Sequence, residues 1–253
     1  MKEEIITMPI LRTEHISKSY QGEPVIEDIS ISLDRGELIC LLGVSGSGKS
    51  TLFHIVSGVL EPDGGRVLLE DRDITGQAGH VSYMQQKDLL LPYKTVLDNV
   101  ALPLILRGER KKDAQAQALA HFKQFGLEVT DRKYPAQLSG GMRQRAALLR
   151  THLFGSTVAL LDEPFSALDA ITKRTIHRWY LDLIDSLGMS TIFITHDVDE
   201  AILLSDRIYI MTGVPGRIDH ELHIDPPRPR PADFNTSEPF MQYKREIIRL
   251  LHL

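Results

Sequence analysis

The sequence predicts an α/β fold: a mainly parallel sheet, an antiparallel β subdomain at the N-terminal end, and an inserted α-helical subdomain. Three observations carry this. From about Ile10 to Gly43 short apolar runs alternate with polar residues and turn signals, the period of two that marks strands with one buried face. From Thr157 onward strand-like and helix-like segments alternate, the pattern of a parallel sheet joined by crossover helices. Between Leu89 and Leu153 the chain is rich in Ala, Gln, Leu and Lys and lacks that alternation, so a helical block separates the two halves.

Taken in order, "VIEDISISLDRGELICLLG" gives antiparallel ribbons whose last run becomes continuously apolar, as a central strand buried on both faces requires. "STLFHIVSGVL" has helical spacing and stops at Gly58, followed by the turn "EPDGG" and a strand pair near "RVLLE" and "HVSYM". The helical block, at about 88–153, comprises "TVLDNVALPLILRG", "KKDAQAQALAHFKQFGL" and the run after "LSGG". The strand "TVALLDEP", a helix over 170–187, the strand "STIFIT", a short helix after Asp197 and the strand "RIYIMTG" complete a domain over residues 1–225. Residues 226–253 read as a proline-rich, extended linker, "DPPRPRP", and a C-terminal helix that starts at Ser237.

Bulk properties bound the function. With 253 residues the chain is long enough for a full core. Its formal net charge of −5 leaves no basic excess to neutralise phosphates, which argues against a nucleic-acid partner. The single cysteine, Cys40, lies in an apolar run and reads as a buried small hydrophobe, which fits a reducing compartment. No run reaches the roughly 18 to 20 apolar residues that span a bilayer, and the acidic N-terminal stretch does not read as a secretory signal. Work at a membrane would need another chain.

The chemistry concentrates in four motifs. "GVSGSGKST" has the phosphate-loop pattern, follows a buried strand and opens a helix, which makes the predicted core a P-loop ATPase. Its Gly43, Ser45, Gly46, Ser47, Gly48, Lys49, Ser50 and Thr51 are the candidate nucleotide-binding residues: backbone N–H groups wrap the β-phosphate, Lys49 bridges β and γ oxygens, and the Ser50 hydroxyl ligates Mg²⁺. "VALLDEP" ends a buried strand with two acids. Asp162 is placed to hold the Mg²⁺ shell, and Glu163, pointing to the opposite side and toward the γ-phosphate, to polarise the attacking water. His196, in "IFITHD", stands where a parallel sheet delivers ligand-binding residues. "LSGGMRQR" places Ser139, Gly140 and Gly141 at a second anion-binding helix start that has no lysine of its own.

In that order, "GVSGSGKST", "LSGGMRQR", "LLDEPFSALD" and "ITHD" resemble the ATP-binding subunit of an ABC transporter over most of residues 10–220. The resemblance implies ATP and Mg²⁺ as cofactors, Tyr20 stacking on adenine, and Gln86 in "YMQQKDLLLP" sensing Mg²⁺ and the membrane partner. Gln85 is adjacent, and the spacing to Pro92 favours Gln86. Asp169, in "SALD", would connect two nucleotide sites across a dimer. Two copies, or this chain and a similar ATP subunit, would close head to tail, with Ser139 and the Gly141 N–H facing the γ-phosphate gripped by Lys49 of the partner subunit.

Within that family, Lys49 and Asp162 are only 113 residues apart, which leaves no room for the long coiled coil of chromosome-maintenance ATPases. The stretches "DLLLPYKTVLDNVALPLILRG" and "GVPGRIDHELHIDPPRPR" resemble the nitrate, sulfonate and taurine importer class, which includes importers of pyrimidine thiamine precursors. Tyr93 stands where tryptophan is common in that class, and Ser166 where glycine is common. The expectation is therefore a cytoplasmic ATPase subunit, peripheral on the inner face of the membrane. It would work with integral permease subunits and, indirectly, with an external substrate-binding protein. A soluble regulatory ATPase built on the same cassette is the alternative.

Overall fold

In the computed structural model, residues 8–166, 170–231 and 233–251 are described. Part of the N-terminal stretch read as lacking a signal, and Asp169 of "SALD", lie outside them.

The N-terminal region is an antiparallel sheet, as its period of two predicts. Strand β1 (Leu11–Tyr20) pairs with β2 (Glu23–Ile29) and β3 (Ser32–Leu33). Strand β4 (Leu38–Gly43), buried along its whole length, leaves that sheet and becomes the middle of a second one. It runs through the phosphate loop into helix α1 (Lys49–Val56), after which Gly58 at φ +74° turns the chain back. Strand β5 (Gly64–Leu69) returns to pair with β1, and β6 (Arg72–Asp73) pairs with β5.

Strand β7 (Ser82–Met84) corrects the expected pairing of "RVLLE" with "HVSYM". It joins the second sheet, parallel to β8 (Val158–Asp162), while "RVLL" stays in the first. The reason is burial. Ser82 and Met84 are both buried at the sheet edge, whereas Arg72 and Asp73 of the short β6 are exposed and suit an outer ribbon.

The helical block follows its predicted place but is more broken. Helices α2 (Val96–Val100) and α3 (Leu102–Leu106) are split at Ala101, because Pro103 has no N–H with which to continue the ladder. Helix α4 (Lys111–Ala120) ends before Phe122, Phe125 and Leu127, which turn inward and are buried. Helix α5 (Gly140–Leu153) completes the block with Ser139 as its cap, the hydroxyl accepting the Met142 N–H.

After β8 come α6 (Ala170–Leu187), β9 (Ser190–Thr195), α7 (Val198–Leu204), β10 (Arg207–Thr212), β11 (Arg217–His223) and α8 (Glu238–Leu250). The six-stranded sheet has the order β11-β10-β4-β9-β8-β7, parallel except for the edge strand β11. Its alternation feeds two cores. Leu38, Cys40 and Leu42 of β4 face one core with residues of α5 to α8, while Ile39 and Leu41 face the other with α1 and the antiparallel sheet.

The segment expected to be a stiff linker is held against the core. Arg228 pairs with Asp206 at 2.8 Å and Asp185 at 3.2 Å, and the buried Arg230 donates to the carbonyls of Leu203 and Ser205 at the end of α7. Helix α8 is capped by Ser237 and buries Phe240 and Ile247.

Candidate nucleotide site

Three parallel strands end side by side and deliver the chemistry to one place. The loop after β4 carries Ser45 to Lys49, the turn after β8 carries Glu163, and the turn after β9 carries His196. Ser45, Lys49, Glu163 and His196 line a cleft of about 600 Å³ with Val25, Gly46, Gly48, Ser50, Thr51, Gln86, Asp162 and Ile194. Its position outside the carboxyl ends of parallel strands is the expected one for a ligand in an open α/β sheet.

The phosphate loop is braced by the antiparallel sheet. Gly48 adopts φ +92°, and a Cβ there would lie 2.4 Å from Ile26 Cγ2, so β2 packs directly on the loop. Lys49 Nζ donates to the carbonyls of Gly43 at 2.9 Å and Val44 at 2.7 Å, which folds the lysine back along the loop toward the space an anion would fill. Burial lowers its ammonium pKa, while Glu163 and Asp162 pull the other way. Ser47 is fully buried, does not line the cleft, and donates its N–H to the Val44 carbonyl.

At the acidic end, the Ser50 hydroxyl donates to Asp162 Oδ2 at 3.1 Å. Burial raises the Asp162 carboxyl above its ordinary value, and neighbouring Glu163 adds in the same direction. The Asp162 carboxylate and the Ser50 hydroxyl lie together, and Gln86 lines the same cleft; these are residues with hard oxygen donors of the kind Mg²⁺ takes.

Strand alternation would send Glu163 away from Asp162, and here the structure corrects the sequence. The strand ends at Asp162, and Glu163 takes φ +46°, a conformation that costs a non-glycine residue roughly 1–2 kcal/mol. Its N–H donates to the Ile194 carbonyl, and the Ser166 N–H and hydroxyl both donate to its own carbonyl. Held in this way, both acids face the same cleft. Glu163 Oε2 accepts from Gln86 Nε2 at 2.8 Å, and Glu163 Oε1 lies 2.9 Å from His196 Nδ1. Gln86, and not Gln85, therefore reaches the site.

Other expected residues lie elsewhere. Tyr20 ends β1 beside the hairpin turn, 46% exposed, and is not part of the cleft wall. Ser139, Gly140 and Gly141 at the start of α5 also do not line it, so within one chain the second helix start is separate from the first.

Two features were missed in the sequence. The first is Gly216, in the turn between β10 and β11, where a Cβ would lie 1.9 Å from the Ser47 carbonyl oxygen. Its N–H donates to Val25 O and its carbonyl accepts from Glu27, so this turn presses the antiparallel sheet and the phosphate loop together. The glycine in "TGVPGR" was its only sign. The second is the packing of loop 87–94 against the helical block. Buried Asn99 bonds Leu91, Lys94 and Thr95, Arg150 donates to the carbonyls of Asp88 and Leu89, and Arg143 pairs with Asp88 at 3.1 Å. Beside this loop lies an apolar groove of about 660 Å³, lined by Val59, Leu89, Leu102, Leu106 and Phe154 among others.

Comparison with known proteins agrees with this geometry. The sequence profile described as ABC transporter matches residues 26–166. The chain is 42% identical over 218 residues to the formylaminopyrimidine import ATP-binding protein ThiZ of Halalkalibacterium halodurans, covering 86% of this chain and 85% of that one. It is 40% identical over 222 residues to the taurine import ATP-binding protein TauB of Pseudomonas aeruginosa, covering 86% and 84%. A solved ATP-binding cassette, a dimer in a post-hydrolysis state bound to ADP and phosphate, superposes with a TM-score of 0.74 at 26% identity, covering 85% of this chain and 99% of that one. The phosphate loop, the two strand-end acids and the histidine turn thus stand in a known cassette architecture, and the chain belongs to the ABC transporter ATP-binding family.

Proposed function

We propose that this chain is the ATP-hydrolysing subunit of an ABC importer, and the observation that carries this reading is the Glu163 carboxylate held between Gln86 and His196 in the phosphate-loop cleft. Lys49 and the loop N–H groups grip the phosphates. Ser50, Asp162 and Gln86 would hold Mg²⁺, which would supply charge neutralisation at the phosphates when bound. Glu163 takes a proton from the attacking water, and His196 keeps the carboxylate oriented and faces the γ-phosphate. Tyr20 supplies the adenine stack and Asp169 a contact between the two sites.

Ser139 and the Gly141 N–H lie outside the cleft of their own chain, which supports a head-to-tail dimer in which they close on the nucleotide of the partner subunit. Among the described residues no helix is long and apolar enough to cross a membrane, so permease subunits supply the path and this chain sits on the inner face. The groove beside Leu89 has the apolar lining and size to accept a short helix from such a subunit. The named relatives are import subunits, which favours transport over the regulatory alternative.

The cargo is a nitrate-, sulfonate- or taurine-like anion or a pyrimidine thiamine precursor, chosen by the permease and an external binding protein. The test is reconstitution with its membrane subunits in vesicles containing ATP. Uptake of taurine or of formylaminopyrimidine that disappears with Glu163→Gln supports the reading. ATP hydrolysis that neither needs nor responds to membrane subunits refutes it.

A further inference from the structure

A buried charged cluster that the proposed chemistry does not use lies directly behind the histidine turn. Glu200, on α7, is 4% exposed. Its two carboxylate oxygens face different elements. Oε1 pairs with Lys173 Nζ of α6 at 2.7 Å and lies 3.5 Å from His177 Nε2. Oε2 accepts the Thr195 hydroxyl at 2.7 Å. The same Thr195 oxygen accepts the Asp197 N–H at 3.1 Å, so the residues on both sides of His196 are fixed through one hydroxyl. Lys173 also pairs with Asp197 at 3.3 Å, and the Asp197 carboxylate caps α7 through the N–H groups of Asp199 and Glu200.

Helix α6 braces the other turn of the site as well. Phe165, two residues beyond Glu163, packs edge-on against His177 at 4.7 Å and Tyr180 at 5.2 Å between ring centroids. The 2.9 Å contact between Glu163 and His196 therefore spans two turns that share a single support. Glu200 is paired with Lys173 and hydrogen-bonded by Thr195, and replacing such a buried pair by well-packed apolar residues is often neutral in stability, so the role of the pair in the turn can be tested apart from the fold.

We propose that Glu200, with Lys173 as its counter-charge and Thr195 as its link, is the positioning residue that fixes the His196 turn for hydrolysis. The proposal rests on the reading of His196 as a partner of Glu163 and the γ-phosphate. None of the three residues lines the cleft. Their loss acts on turnover and leaves affinity in place, because the phosphate loop is held independently by β2 and Gly216.

The test is steady-state ATP hydrolysis by the transporter complex carrying Thr195→Val, which keeps shape and removes the linking hydroxyl, and Thr195→Ser, which keeps the hydroxyl. Thr195→Val should lower kcat about tenfold or more with KM for ATP changed less than about twofold, and Thr195→Ser should retain turnover. The ring ¹⁵N signals of His196 in the isolated subunit should shift in the valine variant and not in the serine variant. The pair Lys173→Met with Glu200→Leu, an apolar replacement of the buried ion pair, should keep the melting temperature and still show low kcat.

Wild-type turnover in Thr195→Val or in the apolar pair, or His196 ring signals that do not move, would overturn the proposal. His196→Ala separates the two readings. If it retains turnover, the assignment of His196 is wrong; if it abolishes turnover while the Thr195 and Glu200 variants stay normal, only the positioning role is wrong.

Discussion

The Glu163 carboxylate lies 2.9 Å from His196 Nδ1, although the two residues belong to turns after different strands and are 33 positions apart. Glu163→Gln removes the proton acceptor and leaves Lys49, Ser50 and the loop N–H groups in place. Hydrolysis should fall by about 10² to 10⁴-fold, while the dissociation constant for ATP stays within a few-fold. Parallel measurement of turnover and equilibrium nucleotide binding checks this. Equal loss of both would assign Glu163 a structural role.

Lys49→Ala should act in the opposite way. It deletes the charged donor on the phosphates, a contact of about 1.5–3 kcal/mol, so ATP should bind roughly ten- to a hundredfold more weakly. Titration with a fluorescent ATP analogue reads this, and unchanged affinity would remove the phosphate loop from the site.

Ser139→Ala removes the cap of α5 and should lower stability by about 1 kcal/mol. Monomer affinity for ATP should be unaffected because Ser139 does not line the cleft of its own chain. Hydrolysis should nonetheless be lost, since the dimer would close on an incomplete γ-phosphate site. Light scattering of the Glu163→Gln protein with and without Ser139→Ala, in ATP, distinguishes a defect of closure from one of folding.

Gly216→Ala tests the missed turn. The added Cβ would meet the Ser47 carbonyl oxygen, backbone that cannot swing aside, so the loop or the turn must move at a cost of about 1–3 kcal/mol. Both the melting temperature and ATP affinity should fall. Retained affinity with a lowered melting temperature would show that the turn supports the fold alone.

Acid stability should report Glu200. Although burial opposes ionisation, nearby His177, the Lys173 ammonium and the hydrogen bond from the Thr195 hydroxyl lower its carboxyl from 4.5 to about 2. A carboxylate with a depressed folded pKa contributes stability fully above its unfolded pKa, and that contribution is lost as pH falls through the folded value. The wild-type protein should therefore lose stability more steeply than Glu200→Gln between about pH 4.5 and pH 2. Denaturant melts of both proteins across that window check the sign.

Much of this was legible because each motif is local. The phosphate loop, the strand ending at Asp162 and the strand preceding His196 are continuous stretches whose apolar runs announce burial, and the structure places them as read. What was hidden depends on contacts between distant positions. The partner of "RVLLE" is β1 and not β7, and nothing in either short run states which sheet it joins. Glu163 escapes strand alternation through a positive φ that no side-chain pattern encodes. Gly216 and Ser47 are far apart in the chain, and a lone glycine in a turn does not reveal what presses on it. Arg228 and Arg230 look like solvated charges in a proline-rich tail, yet their partners on the core turn the tail into a strap.

Gln86 and Leu89 sit three residues apart on one short segment, the first against Glu163 and the second in the wall of the apolar groove. Asn99 and Arg150 pin the backbone between and beyond them, so the segment behaves as a stiff lever and not as a slack tether. A body seated against Leu89 would therefore press on a segment whose pinned backbone leads directly to the Gln86 amide that donates to Glu163. The groove and the Glu163 carboxylate are thus joined by only about 10 Å of chain, a span short enough that a permease in the proposed position would act on the site in the same way whatever cargo it carries.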